Sequence, residues 1–116
     1  MIVREIYEKI ISEIEKRIAE GLLNGSNFSE LAAIVHDCVN KLGTRILEQL
    51  VEEADRAFID SSERKRHWKI VRKDTRSVLT AMGEVKISRN YYRHKVTGEY
   101  AHLADEVLKL PAYDRV

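Results

Sequence analysis

The chain has 116 residues, 44% hydrophobic and 34% charged, and a net charge of +1 at pH 7. That length suits one domain with a modest core, and no apolar run approaches the ~20 residues of a membrane span. Cys38 is the single cysteine, which excludes an intrachain disulfide and a cysteine-cluster metal site and points to a reducing, cytoplasmic setting.

From Ile2 to Leu23 the aliphatics recur at helical spacing: Ile2, Ile6, Ile10, Ile14, Ile18 and Leu22 step by four, and Val3, Tyr7 and Ile11 widen the stripe. The opening residues mix charge with aliphatics and do not read as a signal peptide. Asn24-Gly25 suits a helix end. Asn27 restarts the chain with Glu30 three residues on, the spacing of a capping box. A second helix is expected from there to about Asp60, with Leu31, Val35, Cys38, Leu42, Ile46, Leu50, Ala54 and Phe58 on one stripe. Gly43 interrupts it, and a close helix contact or a slight bend would explain that residue. Two long helices joined by a short loop predict an antiparallel hairpin. The second helix outruns the first, so its stripe needs the sheet or a second copy of the protein to cover it, and a homodimer through the long helices is expected.

Ser61-Ser62 breaks the pattern. Charge then changes sign along the chain. Residues 1–62 carry a net charge of −5, residues 63–95 carry 11 basic and 3 acidic side chains for a net +8, and residues 96–116 carry −2. Within the basic stretch, Trp68, Ile70 and Val71 suggest a strand or extended arm. Val78, Thr80 and Met82 then alternate with Ser77, Leu79 and Ala81. Beyond Gly83, Val85, Ile87 and Tyr91 alternate with Lys86, Ser88 and Asn90. Period two on both sides of a glycine predicts a β-hairpin. Arg89 falls on the apolar phase, where a guanidinium needs a partner or an opening to solvent. Val96-Thr97-Gly98 reads as a turn, Glu99 to Leu103 as a short strand, and Ala104 to Leu110 as a short helix with Asp105 and Glu106 in its first turn. Pro111 is a stop, and Ala112 to Val116 look like the start of a further element.

Concentrated positive charge is the footprint of an anionic partner. The candidate nucleic-acid contacts are Arg64, Lys65, Arg66, Lys69, Arg72, Lys73 and Arg76 on phosphates, Trp68 as a stacking or wedging ring, and Arg89 and Arg93 where their strand face is open. The plain alternative is a solvated Lys/Arg-rich edge strand that resists aggregation, with Arg89 paired to a carboxylate. For the tyrosines that alternative is preferred, with Tyr91 in the core and Tyr92 a partly exposed cross-strand aromatic. His36 and Cys38, two apart on a helix, face different ways. His94 and His102 flank a turn, but a zinc site would need more ligands. There is no phosphate loop, nucleophile elbow or zinc-protease motif, so no catalytic residue, metal or cofactor is expected.

At Gly83-Glu84-Val85, Arg89-Asn90-Tyr91-Tyr92, Thr97-Gly98-Glu99-Tyr100 and Leu103-Ala104-Asp105-Glu106-Val107-Leu108, the sequence resembles the amino-terminal region of ISLre-two-type bacterial insertion-sequence transposases, Uncharacterised Protein Family 0236. The resemblance covers essentially the whole chain and is most specific over residues 76–110. Ala104 stands where a second leucine is usual, and Lys109 where glycine is common. The resemblance implies a part in transposition, with DNA, including transposon ends, as partner. It also implies a ribonuclease-H-like catalytic domain elsewhere in such proteins, whose metal-ion site has no counterpart here.

The expectation is thus an α+β domain over 1–116, with a long antiparallel helical hairpin over 1–61, a small basic antiparallel β-sheet over 62–103, and a short helix with a truncated end over 104–116. Its expected role is non-catalytic contact with DNA through residues 64–95. The alternative is a dimerisation or scaffold module, without DNA contact, that docks on the missing catalytic domain.

Overall fold

The computed structural model describes residues 3–110. Its elements are α1 (Val3–Leu23), α2 (Phe28–Ile59), α3 (Ser62–His67), β1 (Trp68–Thr80), β2 (Gly83–His94), β3 (Tyr100–Ala101) and α4 (Leu103–Leu108). The fold is α+β: long helices, then one antiparallel sheet in the order β1-β2-β3, then a short helix. Pro111 and the expected continuation from Ala112 lie outside the described residues. The chain groups into two compact units, Met1–Arg45 and Ile46–Val116. No described helix is long and apolar enough to cross a membrane.

In the first unit, α1 and the opening turns of α2 run antiparallel. Gly21 faces Leu31 and Ile34 so closely that a methyl in its place would stand 3.0 Å from Ile34 Cδ1. Further along, Arg17 Nη1 donates to Asp37 Oδ2 at 2.7 Å, and the buried Ile10 and Cys38 line one small cavity. Between the helices, Gly25 takes φ +74°, a conformation that costs a residue with a Cβ. The capping box forms as its spacing predicts: Glu30 N–H donates to Asn27 Oδ1 at 2.9 Å, and Asn27 N–H to Glu30 Oε1 at 3.0 Å. Gly43 stays within the uninterrupted α2.

The second unit is built on the β1–β2 ladder, paired from Trp68–His94 to Thr80–Gly83. Met82 is not a strand residue, as its alternation suggested, but sits in the two-residue turn with Ala81. Thr80 Oγ1 shapes the turn, donating to Gly83 O at 2.8 Å and accepting Met82 N–H at 3.2 Å. The core is small: Val51 of α2 packs with Val78, Val85 and Ile87, flanked by Leu47 and Leu110.

The outer edge of β2 pairs with β3 only at Tyr92 and Arg93. Carboxylates of α2 take over along the rest. Glu48 Oε2 accepts Lys86 N–H at 2.8 Å. Asp55, 3% exposed, accepts Asn90 N–H at 3.0 Å and Asn90 Nδ2 at 2.7 Å, with Tyr92 Oη at 3.5 Å from its other oxygen. Seven residues of helix rise about 10 Å. Four residues of strand span about 13 Å. The two acceptors therefore match two N–H groups on the same edge.

This arrangement revises parts of the sequence reading. The α2 face that meets the sheet carries Leu47, Val51 and Asp55, whereas Leu50 is half exposed. Tyr92, not Tyr91, is the fully buried tyrosine, because Asp55 and Arg64 cover the face on which it lies; the Arg64 guanidinium is 5.8 Å from its ring centroid. Burial, and then the Asp55 charge, push the Tyr92 phenol up to about 12. The phenol therefore stays neutral at any pH where the protein would be used.

Residues 62–67 form a helix rather than part of an extended arm. Ser61 Oγ accepts Arg64 N–H at 3.3 Å as its N-cap, and the Arg64 side chain reaches back to the carbonyls of Phe58 and Ile59 that end α2. A carbonyl group at a helix end has no intrahelical donor, and a guanidinium supplies several at once.

Asp55→Ala is expected to destabilise the protein by about 3 kcal/mol, since it strands two donors on Asn90. Asp55→Asn, which keeps an oxygen for them, should recover about half of that loss. Urea unfolding followed by circular dichroism measures both, and equal losses for the two variants would refute the edge-acceptor role.

Candidate nucleic-acid interface

The ten candidate residues do not form one surface. Three of the arginines turn inward. Arg64 is buried, tied to Phe58 O at 3.1 Å, to Trp68 O at 3.3 Å and to Ile59 O. Arg89 is 4% exposed and makes a two-pronged pair with Asp105, Nε–Oδ1 at 2.8 Å and Nη2–Oδ2 at 3.0 Å, with Asp74 O at 3.3 Å from Nη1. Arg76 is mostly covered and lies 4.0 Å from the same Asp105 carboxylate. Arg64, expected among the phosphate contacts, is thus engaged internally, and Arg89, expected there only where its strand face is open, takes the alternative of pairing with a carboxylate. Their positions demanded internal partners, and carbonyls and a carboxylate supply them. Asp105, read from the sequence as helix-start chemistry alone, is the partner that lets Arg89 occupy the apolar phase of β2.

The remaining cations are outward. Lys65 and Arg66 are exposed on α3, Lys69, Arg72 and Lys73 on β1, and Arg93 on β2. Lys86 and Lys95 are exposed as well. A β-bulge between Ile70 and Arg72 decides how they are shared between faces. Side chains alternate along a strand, so Lys69 and Arg72, three apart, belong on opposite faces of a regular one. With Val71 as the extra residue, Lys69 pairs with Arg93 and Arg72 with Tyr91. Arg93 and Tyr91 are two apart on β2, so both cations of β1 join them on one face. Lys73, opposite Asn90, is on the other.

Trp68 is also on that other face. It pairs with His94, whose ring meets it edge-on at 4.9 Å, and lines a cleft of about 490 Å³ with Phe58, Ser61, Glu63, Arg64, His67, His94 and Leu103. It is thus separated from Lys69, Arg72 and Arg93. His94 and His102 do not approach each other as a pair of ligands. His94 stacks on His67 with centroids 6.1 Å apart, whereas His102 Nε2 is 2.8 Å from Asp74 Oδ2. Among the described residues no three His, Cys, Asp or Glu side chains gather as a metal site.

A polar network runs through the face bearing Lys69. Arg72 Nε donates to Asp74 Oδ1 at 2.8 Å, and His102 holds the other oxygen of Asp74. The hydrogen bond from His102, then the Arg72 contact, hold the Asp74 carboxyl below its ordinary range. The Arg72 guanidinium also lies over the Tyr91 ring, 4.6 Å from its centroid. Tyr100 stacks on Tyr91, and its backbone pairs with Arg93. The sequence reading assigned Tyr100 no role. The signal was an aromatic on the short strand after Gly98, but only the pairing of β3 with β2 puts it beside the cations.

A model of an uncharacterised protein family, UPF0236, matches residues 21–116. Two UPF0236 proteins of Caldanaerobacter subterraneus subsp. tengcongensis are each 31% identical to the chain over 124 residues, covering all of it and 25% of their own length. Another from the same organism is 34% identical over 95 residues, 82% of the chain and 20% of its own length. The chain thus spans about a quarter of the length of the curated relatives it matches. No solved structure matches it.

Arg89→Leu is expected to cost about 3 kcal/mol of stability by leaving Asp105 without its main partner. Replacing both Arg89 and Asp105 with leucine should cost less than Arg89→Leu alone, because no unpaired charge then remains. Urea unfolding of the two variants tests this, and a double variant less stable than the single one would contradict it.

Proposed function

The chain belongs to the UPF0236 family, and we propose that it is a non-catalytic, DNA-contacting part of an ISLre-two-type insertion-sequence transposase acting in the cytoplasm. The motifs around Gly83, Arg89, Gly98 and Asp105 support the transposase part of this reading through their resemblance. One structural observation supports the DNA part. Of the 11 basic residues in 63–95, the less exposed are the arginines Arg64, Arg76 and Arg89, and Lys65, Arg66, Lys69, Arg72, Lys73, Lys86, Arg93 and Lys95 are exposed. Their charge exceeds that of the 3 acidic residues in the same stretch. Lys69 and Arg93 stand directly across the ladder from one another. Like charges in that relation cost stability, and a phosphate between them would relieve the cost.

A second reading, self-association through the long helices, is favoured by the apolar residues of the first unit. Leu23 is 86% and Phe28 87% exposed, and Val35 and Val39 of α2 are about half exposed. Paired DNA ends would be served by two copies, so the readings are compatible.

Fluorescence-anisotropy titration with the element's terminal inverted repeat and with scrambled duplex, over a salt series, tests the first reading. Lys65→Glu, Arg66→Glu, Lys69→Glu and Lys73→Glu in combination should weaken binding. Each lost phosphate contact should flatten the log–log salt slope by about 0.9. Unchanged affinity at moderate salt would sink the reading. Sedimentation equilibrium at high protein concentration tests the second: twice the mass of one chain is expected, and a monomer would remove it.

A further inference from the structure

The open end of the sheet carries an aromatic ladder among its cations. On the face shared by Lys69, Arg72 and Arg93, the rings of Tyr91 and Tyr100 stack with centroids 5.3 Å apart and planes 15° from parallel. Tyr91 is enclosed, with the Arg72 guanidinium 4.6 Å and the His102 ring 4.5 Å from its centroid. Tyr100 is the ladder's exposed member, at 54%.

Three features of this group point the same way. The rings are held in place: Arg72 and His102, which flank Tyr91, are both fixed by Asp74 at 2.8 Å. A stacking surface ordered in advance loses little freedom when a ligand arrives. The ring left exposed is a flat π surface, whereas an aromatic retained only for the core would be covered. Around it stand Arg93, its cross-strand neighbour, and Lys69 beyond, with no carboxylate paired to either in the ladder. A π-face bordered by cations complements a planar base whose neighbouring phosphates are anionic. Bases inside a duplex have both faces covered, so only an unpaired base can use such a surface.

We propose that this face binds single-stranded DNA, with one base stacked on Tyr100 and the adjoining phosphates held by Arg93 and Lys69. The proposal rests on the DNA-contacting reading above and specifies the form of DNA that this part of the surface takes. Lys65, Arg66 and Lys73 are left to contact duplex backbone.

The test uses the 116-residue chain, a fluorescent oligothymidylate and a hairpin duplex of random sequence, each titrated over a salt series. Wild type should bind the oligothymidylate. Tyr100→Ala should weaken that binding roughly 5- to 150-fold, the range for loss of one base–aromatic stack. The salt slope should stay unchanged because no phosphate contact is removed, and affinity for the hairpin should stay within about twofold. Tyr100→Phe, which keeps the ring, should bind like wild type, which separates stacking from any effect of the hydroxyl. If Tyr100→Ala binds the oligothymidylate as wild type does while Lys69→Glu weakens it, the stacking proposal is overturned and phosphate contact alone stands. An equal loss on both DNA forms overturns it too. A folded wild-type protein that binds neither form at low salt overturns the DNA-contacting reading itself.

Discussion

One edge of β2 is a row of backbone donors with a helix, not a strand, beside it. An α-helix has no spare carbonyl along its length, since each is already engaged within the helix. Only side chains can meet the strand, and α2 meets it with Glu48 and Asp55. The rest of the second unit falls into place around that contact. Val51, between the two acidic residues, reaches Val78, Val85 and Ile87 on one face of the sheet. Past Asp55, the end of α2 brings Phe58 and Ile59 to the other, where Arg64 binds their carbonyls and lies over Tyr92. A core so small gains specificity from a polar contact that fits in only one register, because a slip of one residue would leave both carboxylates facing the wrong groups.

The basic segment is sorted by chemistry. Its less exposed cations, Arg64, Arg76 and Arg89, are all arginines, and its lysines, Lys65, Lys69, Lys73, Lys86 and Lys95, are all exposed. A guanidinium offers five donors in a plane and can be satisfied by several fixed acceptors, as at Arg64 and Arg89. An ammonium is more strongly hydrated and loses more on leaving water. The same run of positive charge therefore does two jobs: arginine fastens the helices to the sheet, and the surface is left rich in lysine.

The helices and turns were largely legible because their signals are local. Asn27 with Glu30, Gly25 and the glycine-centred hairpin each depend on neighbours a few residues away. So does the short strand at Tyr100–Ala101. What was hidden depends on residues far along the chain. Asp55 looked like ordinary helical surface, because its partner Asn90 is 35 residues on. Alternation showed that Tyr91 and Tyr92 lie on opposite faces of β2 but not which face would be covered. The helix at Ser62–His67 has no apolar period, and its anchor is a side chain binding backwards to the previous helix. At the candidate site the charge could be read from composition. Its division could not, since that is set by Asp105, by the ends of α2 and by the pairing of β3.

The bulge at Val71 separates strand β1 into two segments that answer to different neighbours. Its outer segment is phased so that Trp68 looks into the cleft and Lys69 toward Arg93; its inner segment is phased by the valine core. Because the extra residue has no partner on β2, loss of its single codon would set Lys69 two positions from Arg72, the spacing of a regular strand, with every cross-strand pair kept. Such a deletion would keep Trp68 on the face of the cleft and Lys69 on that of the tyrosine ladder, and would straighten the strand between them while leaving the core unaltered. The bend at the open end of this sheet is thus encoded in chain length as much as in residue identity, and related proteins lacking that one residue would offer their partners the same side chains on a straighter strand.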